Sequence, residues 1–118
     1  MITSKYFSTK ELSCHDGCGL LPNQSFVDKL DAIREAYGHP IEVTNVSRCS
    51  VHNRAIGGAR FSAHVQGIAA DLVRTEALLA FLVSNADKFN IWVESPDKTP
   101  QWIHIDTRYR PVGRIFLP

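Results

Sequence analysis

The feature that most constrains the fold is a pair of strand-like segments near the end of the sequence, NIWVE and QWIHIDTR. The six residues that join them, SPDKTP, include two prolines and charged residues, a composition that suits an exposed connection. Two strands joined in this way form a hairpin. A terminal hairpin, in place of regular alternation between strands and helices, predicts an α+β fold with a mainly antiparallel sheet.

Two other segments have the periodicity of amphipathic helices. The first begins near Asn23 to Ser25, whose side chains can cap a helix, and stops at Gly38 and Pro40. The second, TEALLAFLVSNADKF, begins with Thr75 as its cap. We predict one buried stripe on each helix, formed by Phe26, Leu30, Ile33 and Tyr37 on the first and by Leu78, Leu79, Leu82 and Phe89 on the second.

Two more strands are predicted between these helices. IEVTNVS, which starts at Ile41, alternates apolar and polar residues, and IAADLV has strand character as well. The intervening segment HNRAIGGARFSAH has no clear period and contains the pair Gly57-Gly58, so it predicts a short turn of helix and a loop. Together the elements predict a single α+β domain over residues 1–118, with its sheet packed against helices.

Composition limits the functions open to such a domain. The chain has 118 residues, of which 44% are hydrophobic, enough for one core and one cleft. Thirteen Lys and Arg residues against twelve Asp and Glu residues predict no basic surface for nucleic acid or anionic lipid. No apolar run approaches the roughly 20 residues of a membrane helix, and MITSKYFSTKEL lacks the apolar centre of a secretory signal. We expect a monomer that is cytoplasmic as synthesised and does not insert into a membrane.

The segment FSAHVQGIAADL contains one histidine, His64, and, seven residues later, one aspartate, Asp71. On one helix the two would share a face, but Gly67 and its small apolar neighbours disfavour a helix. On one straight strand an odd separation would put them on opposite faces. A turn at Gln66-Gly67 resets the alternation, so we predict that a loop histidine and a strand aspartate converge.

The last predicted strand adds a second histidine. Trp102, His104 and Asp106 point to one side of QWIHIDTR, while Ile103 and Ile105 point to the other. The isoleucines can therefore face the helices, and the polar residues can face a cleft.

His64, Asp71 and His104 together offer two imidazoles and a carboxylate. This ligand set suits Zn²⁺ and leaves a fourth position for water. Zinc lowers the pKa of its bound water to about 7 and polarises a carbonyl, which is the chemistry of amide hydrolysis. The alternative is that both histidines are ordinary hydrogen-bonded residues of a surface or core.

The three cysteines, Cys14, Cys18 and Cys49, leave several readings open. Cys14, His15 and Cys18 in CHDGC resemble a small metal-binding knuckle, although no second pair of ligands follows. Packed thiols, or a bond from Cys14 or Cys18 to Cys49, are the alternatives.

Two motifs in the sequence resemble a known family. The pattern S-x-H-x-x-G-x-A-x-D is reproduced by Ser62, His64, Gly67, Ala69 and Asp71, and W-x-H by Trp102 and His104. By these motifs the chain resembles the zinc D-Ala-D-Ala carboxypeptidases and Hedgehog-like metallopeptidases. YFSTKELSCHDGCG and the segment from Val43 through SRCSVHNRAIGGA resemble the short phage and bacterial members, so the likeness covers nearly the whole chain.

The resemblance implies a Hedgehog/DD-peptidase-like α+β fold and a zinc peptidase that cleaves peptidoglycan stem or crosslink peptides next to D-amino acids, as a carboxypeptidase or an endopeptidase. It implies that the zinc ligands are His64, Asp71 and His104. It further implies that Arg48 binds a substrate carboxylate or carbonyl and that Trp102 contacts substrate. Ser62 either holds the loop or contacts substrate.

One position departs from the family pattern. Where several members have an acidic general base, three residues before the last histidine, this chain has Gln101, which cannot accept a proton. Glu94, at the end of the preceding strand, is our first candidate for the base. Asp106 is the alternative, although it can equally orient His104. The departure keeps two other functions open: an inactive zinc module that binds cell-wall peptides or a protein partner, and a zinc-stabilised structural part of a phage particle.

Overall fold

The computed structural model describes residues 2–14, 19–58, 62–111 and 113–118. The metal knuckle considered for CHDGC, and any bond made by Cys18, fall on residues outside these ranges.

The described residues form four helices and five strands. The helices are α1 (Thr9–Leu12), α2 (Gln24–Tyr37), α3 (Ser50–Ala55) and α4 (Glu76–Phe89). The strands are β1 (Val43–Asn45), β2 (Ala69–Val73), β3 (Trp92–Glu94), β4 (Trp102–Asp106) and β5 (Ile115–Phe116). None of the described helices has the length and apolarity needed to cross a membrane.

The strands form one sheet in the order β1-β2-β4-β3-β5. The pairs β1–β2, β2–β4 and β4–β3 are antiparallel, and only β3–β5 is parallel. The predicted hairpin is the β3–β4 pair. The α+β fold with a mainly antiparallel sheet is therefore confirmed.

The two faces of the sheet differ in chemistry. One face forms a single hydrophobic cluster with the apolar stripes of α2 and α4, through Ala70, Leu72, Val93, Ile103 and Ile105. Because successive residues of a strand point to opposite faces, Asp71 and His104 lie on the other face. The helices thus cover the apolar face and leave the polar one to line a cleft.

The helix predictions were largely correct. Thr75 caps α4, since its hydroxyl accepts the N–H of Leu78 at 3.1 Å. Asn23 is the N-cap residue of α2, so the predicted start of the helix is confirmed, although its side chain makes no capping hydrogen bond. A backbone contact holds this end of α2: the N–H of Asn23 donates to the carbonyl oxygen of Gly67 at 3.0 Å. In the two stripes Phe26, Leu30, Ile33, Leu78 and Leu82 are buried, and Tyr37, Leu79 and Phe89 are partly buried.

The strand predicted from IEVTNVS is shorter than expected, because β1 covers only Val43–Asn45. The residues after it leave the sheet and make other backbone hydrogen bonds. The N–H of Ser47 donates to the carbonyl oxygen of Leu12, and that of Arg48 to the carbonyl oxygen of His64, each at 3.3 Å. These bonds bring the chain that follows β1 over the polar face of the sheet.

Two short elements were not predicted. Helix α1 begins with a capping box, in which Ser8 and Glu11 each accept the other's backbone N–H, at 3.1 and 2.9 Å. The sequence signal for it, Ser followed three residues later by Glu, is present in STKE. Strand β5 is only two residues long, too short for any periodic pattern.

Candidate metal centre

A tight turn carries His64, as the sequence predicts. Gly67 closes it, because its N–H donates to the carbonyl oxygen of His64 at 3.2 Å and its φ of +74° favours glycine. A Cβ at Gly67 would lie 3.1 Å from the backbone nitrogen of Asn23 and 3.2 Å from Cα of Pro22. The Ser62 hydroxyl accepts the N–H of His64 at 3.2 Å. The turn is therefore packed against the start of α2, which fixes the position of His64.

The register of β2, β4 and β3 places Asp71, His104 and Glu94 side by side in one row across the sheet. The antiparallel register of β2 and β4 pairs Asp71 directly with His104. In the β3–β4 pair, Val93 lies opposite Ile105, so the next step of the same register places Glu94 opposite His104. Residues directly opposite on antiparallel strands share a face, so the three side chains cross the polar face side by side.

The side chains of His64, Asp71 and His104 meet at one point. Nε2 of His64 lies 3.2 Å from Oδ1 of Asp71, and Nδ1 of His104 lies 2.9 Å from the same oxygen. One ligand atom from each of the three residues lies within 4.8 Å of the others. Two imidazole nitrogens and a carboxylate oxygen so arranged could hold a metal ion, and this donor set is one that zinc accepts.

Each histidine ring is oriented by the nitrogen that faces away from this point. Nδ1 of His64 lies 2.8 Å from the carbonyl oxygen of Val46, which can only accept. Nδ1 of His64 therefore donates to this carbonyl oxygen, and Nε2 is the nitrogen that faces the group and could bind a metal. Nε2 of His104 lies 2.9 Å from Oδ2 of Asp106, which leaves Nδ1 of His104 for the same purpose.

The charges of Asp71, His104 and Asp106 perturb one another strongly. Burial disfavours the charged form of His104, but hydrogen bonds with Asp106 and Asp71 outweigh it and raise the pKa of His104 to about 9. Burial also disfavours ionisation of Asp71, yet hydrogen bonds with His104 and His64 hold the pKa of Asp71 well below its ordinary value. A cation would therefore meet an ionised carboxylate at Asp71, and its binding would displace a proton from His104.

Asp106, which contacts His104, accepts hydrogen bonds on both of its carboxylate oxygens. It is 1% exposed, and its pKa is low because hydrogen bonds with His104 and Arg110 outweigh the effect of burial. Oδ1 accepts Nη1–H of Arg110 at 2.7 Å and the N–H of Arg108 at 3.1 Å. Oδ2 accepts Nη2–H of Arg110 at 3.2 Å in addition to His104. Both oxygens of this carboxylate are therefore occupied.

The polar face opens into a cleft of about 590 Å³, lined by the predicted site residues Arg48, Ser62, His64, Asp71, Glu94, Trp102, His104 and Asp106. Trp102 is 38% exposed at the cleft wall, and Ser62 is nearly buried in the turn of His64. Burial raises the pKa of Glu94, with Asp71 and Asp106 adding to the effect against the opposing charge of His104. A glutamate with a raised pKa thus lies beside the three-residue group.

Arg48 reaches the cleft from the loop after β1. It is 7% exposed, and within the described part of the chain its Nε has no hydrogen-bond partner. Burial lowers the pKa of Arg48, and the nearby charge of Asp71 opposes this effect. A Cβ on Gly58 would lie 2.7 Å from Nη1 of Arg48, so glycine at this position leaves room for the guanidinium.

The cleft also contains residues that the sequence did not single out, Arg108, Arg110 and Phe116. They follow the last recognised motif, and no spacing rule marks them. A different contact joins two of the cysteines, since the N–H of Cys49 donates to Sγ of Cys14 at 3.3 Å.

A metal-competent His-Asp-His group beside a glutamate and an arginine, on the open face of an antiparallel sheet, is the kind of site found in metallohydrolases. Comparison with known families agrees. The sequence model of the family described as peptidase M15 matches residues 4–106, and the chain belongs to that family, which includes zinc D-Ala-D-Ala carboxypeptidases and phage peptidoglycan peptidases. The predicted resemblance is therefore confirmed. Among curated proteins, none matches the chain.

Proposed function

We propose that the protein is a zinc-dependent peptidase that hydrolyses peptidoglycan stem or crosslink peptides next to D-amino acids. The observation that carries the proposal is the convergence of His64 and His104 on one oxygen of Asp71, inside a cleft that also holds Glu94. Family membership supports a peptide substrate. Peptidoglycan as its source, and a phage lysin-like role, are part of the proposal.

His64, Asp71 and His104 hold the metal in this proposal, through Nε2, a carboxylate oxygen and Nδ1. When bound, Zn²⁺ lowers the pKa of a coordinated water and polarises the peptide carbonyl. Asp106 keeps the His104 ring in place, because both of its oxygens are already engaged and neither is available to take a proton from water.

Glu94 is the general base. It lies opposite His104 in the strand register and lines the same cleft, whereas Gln101 is exposed and cannot accept a proton. Its carboxylate accepts a proton from the attacking water and delivers it to the leaving amine. Burial raises its pKa towards the working range of a base near neutral pH, where proton transfer is most efficient.

Arg48 binds the substrate's carboxylate or carbonyl oxygen. Its guanidinium fork offers paired donors, and its burial strengthens any ion pair it makes. Ser62 and Trp102 also line the cleft and contact the rest of the peptide. The three residues orient the scissile bond towards Glu94.

The test is a digest of purified peptidoglycan, with new amino groups as the readout. We expect release by the zinc-loaded protein, loss of release with a chelator, and recovery when zinc is restored. Glu94→Gln should lower the rate by about 10²- to 10⁴-fold while zinc content stays unchanged. Glu76→Gln, at an exposed glutamate of α4, is the matched control and should match the wild type. Stoichiometric zinc without release by the wild type would instead support a binding module.

A further inference from the structure

The chain that follows β4 folds back onto the metal centre. Arg110 forms a two-pronged ion pair with Asp106, with Nη1 2.7 Å from Oδ1 and Nη2 3.2 Å from Oδ2. Nη1 also donates to the carbonyl oxygen of Arg108 at 3.1 Å, which closes the loop. Of the four hydrogen bonds that Asp106 accepts from described residues, Arg110 supplies two.

Phe116 connects Arg110 to the ligand histidine. Cζ of Arg110 lies 3.5 Å from the centre of the Phe116 ring, and the same ring meets the His104 ring edge to face at 5.9 Å. Strand β5 sets this position, because its parallel pairing with β3 places Phe116 beside Glu94. An arginine stacked on an aromatic ring keeps its fork in one plane.

We infer that Arg110 and Phe116 are positioning residues for zinc, a clamp that fixes His104 through Asp106. The inference rests on the zinc site of the proposed function. Both residues lie beyond the part of the chain that matches the family, residues 4–106, so the clamp is assigned from the geometry of this chain alone.

The physical reason is the freedom that Asp106 would otherwise have. Without Arg110, Asp106 would keep one hydrogen bond on each oxygen, from the N–H of Arg108 and from His104. A carboxylate held by these two bonds can rotate and turn the His104 ring with it, which moves Nδ1 away from Asp71. Arg110 holds both oxygens at once, so the carboxylate has a single orientation. Phe116 restricts Arg110 on one side and His104 on the other. Ligand orientation of this kind commonly contributes about 10- to 100-fold to metal affinity.

The experiment measures zinc affinity of the full chain by competition with a chromophoric chelator, and the visible absorption of the cobalt-substituted protein as a report on ligand geometry. Arg110→Gln should bind zinc about 10- to 100-fold more weakly and alter the cobalt spectrum. Arg110→Lys keeps the charge but loses the fork, and should recover affinity only in part. Phe116→Leu, which keeps an apolar side chain, should also weaken binding, and it serves if Arg110→Gln does not fold.

Arg114→Gln is the matched control. Arg114 also pairs with an aspartate, Asp87 at 2.8 Å, and also stacks on an aromatic ring, that of Trp92, but Asp87 is exposed and touches no predicted ligand. Arg114→Gln should keep wild-type zinc affinity and the wild-type cobalt spectrum.

The outcomes separate the inference from the function it rests on. If Arg110→Gln and Phe116→Leu bind zinc as Arg114→Gln does, or lose only thermal stability, the clamp is refuted and the peptidase proposal stands. If the wild-type protein binds no zinc, the proposed function is refuted, and the clamp is refuted with it.

Discussion

Replacement of Gly67 by alanine tests whether the turn under His64 is built around a missing side chain. Gly67 has a φ of +74°, a region that costs an L-residue about 1–2 kcal/mol. Its Cβ would also meet the backbone nitrogen of Asn23 at 3.1 Å and Cα of Pro22 at 3.2 Å. Backbone atoms cannot rotate away as a side chain can, and forcing an atom into such a site costs about 1–3 kcal/mol.

The two terms together predict that Gly67→Ala lowers the free energy of unfolding by about 2–5 kcal/mol. Gly38→Ala separates them, because Gly38 has almost the same φ, +79°, and nothing within 4 Å of its Cβ position. It should therefore lose only about 1–2 kcal/mol. Urea denaturation of both variants in the presence of a chelator gives the two values without a contribution from zinc.

Zinc affinity supplies a second, independent readout. Because the turn carries His64, Gly67→Ala should also weaken zinc binding, whereas Gly38→Ala, at the far end of α2, should not. Equal destabilisation by the two substitutions would refute the steric argument. Unchanged zinc affinity in Gly67→Ala would refute the link between this turn and the ligand.

Two further predictions concern the metal and the substrate separately. His104→Ala should lose bound zinc along with activity, whereas His39→Ala, at an exposed histidine, should keep one equivalent by elemental analysis; retention of zinc by His104→Ala would contradict the ligand assignment. Gly58→Ala should displace Arg48 and Asn53, which its Cβ would overlap, and lower kcat/KM by about 10- to 100-fold with zinc content unchanged. Wild-type kinetics in Gly58→Ala would show that the guanidinium position does not matter.

Much of the fold was predictable because the spacing of apolar residues over short segments indicates each helix and strand. The two long helices have apolar residues at helical spacing, and Ile103 and Ile105 alternate with polar residues in a way that only a half-buried strand explains. The turn before Asp71 was predictable too. Neither a single helix nor a single strand would bring His64 and Asp71, seven residues apart, to one place in this glycine-containing segment. What these features share is that the signal lies within a dozen residues of sequence.

The face occupied by Glu94 could not be predicted, because it depends on the register of β3 against β4. A connection of six residues allows more than one register, and a shift of one residue would turn Glu94 to the other side. The presence of Arg110 and Phe116 in the cleft could not be predicted for a related reason. They reach the site through a chain reversal and a two-residue strand, and neither leaves a periodic trace in the sequence.

The row formed by Asp71, His104 and Glu94 makes the candidate site and the fold depend on one alignment. If β4 slipped by a single residue, isoleucines would enter the cleft and His104 would face the hydrophobic core. The misaligned chain would lose both the candidate metal site and its stability. Molecules with a nearly correct but nonfunctional site should therefore be scarce. Correct strand alignment therefore also aligns the residues of the candidate metal site.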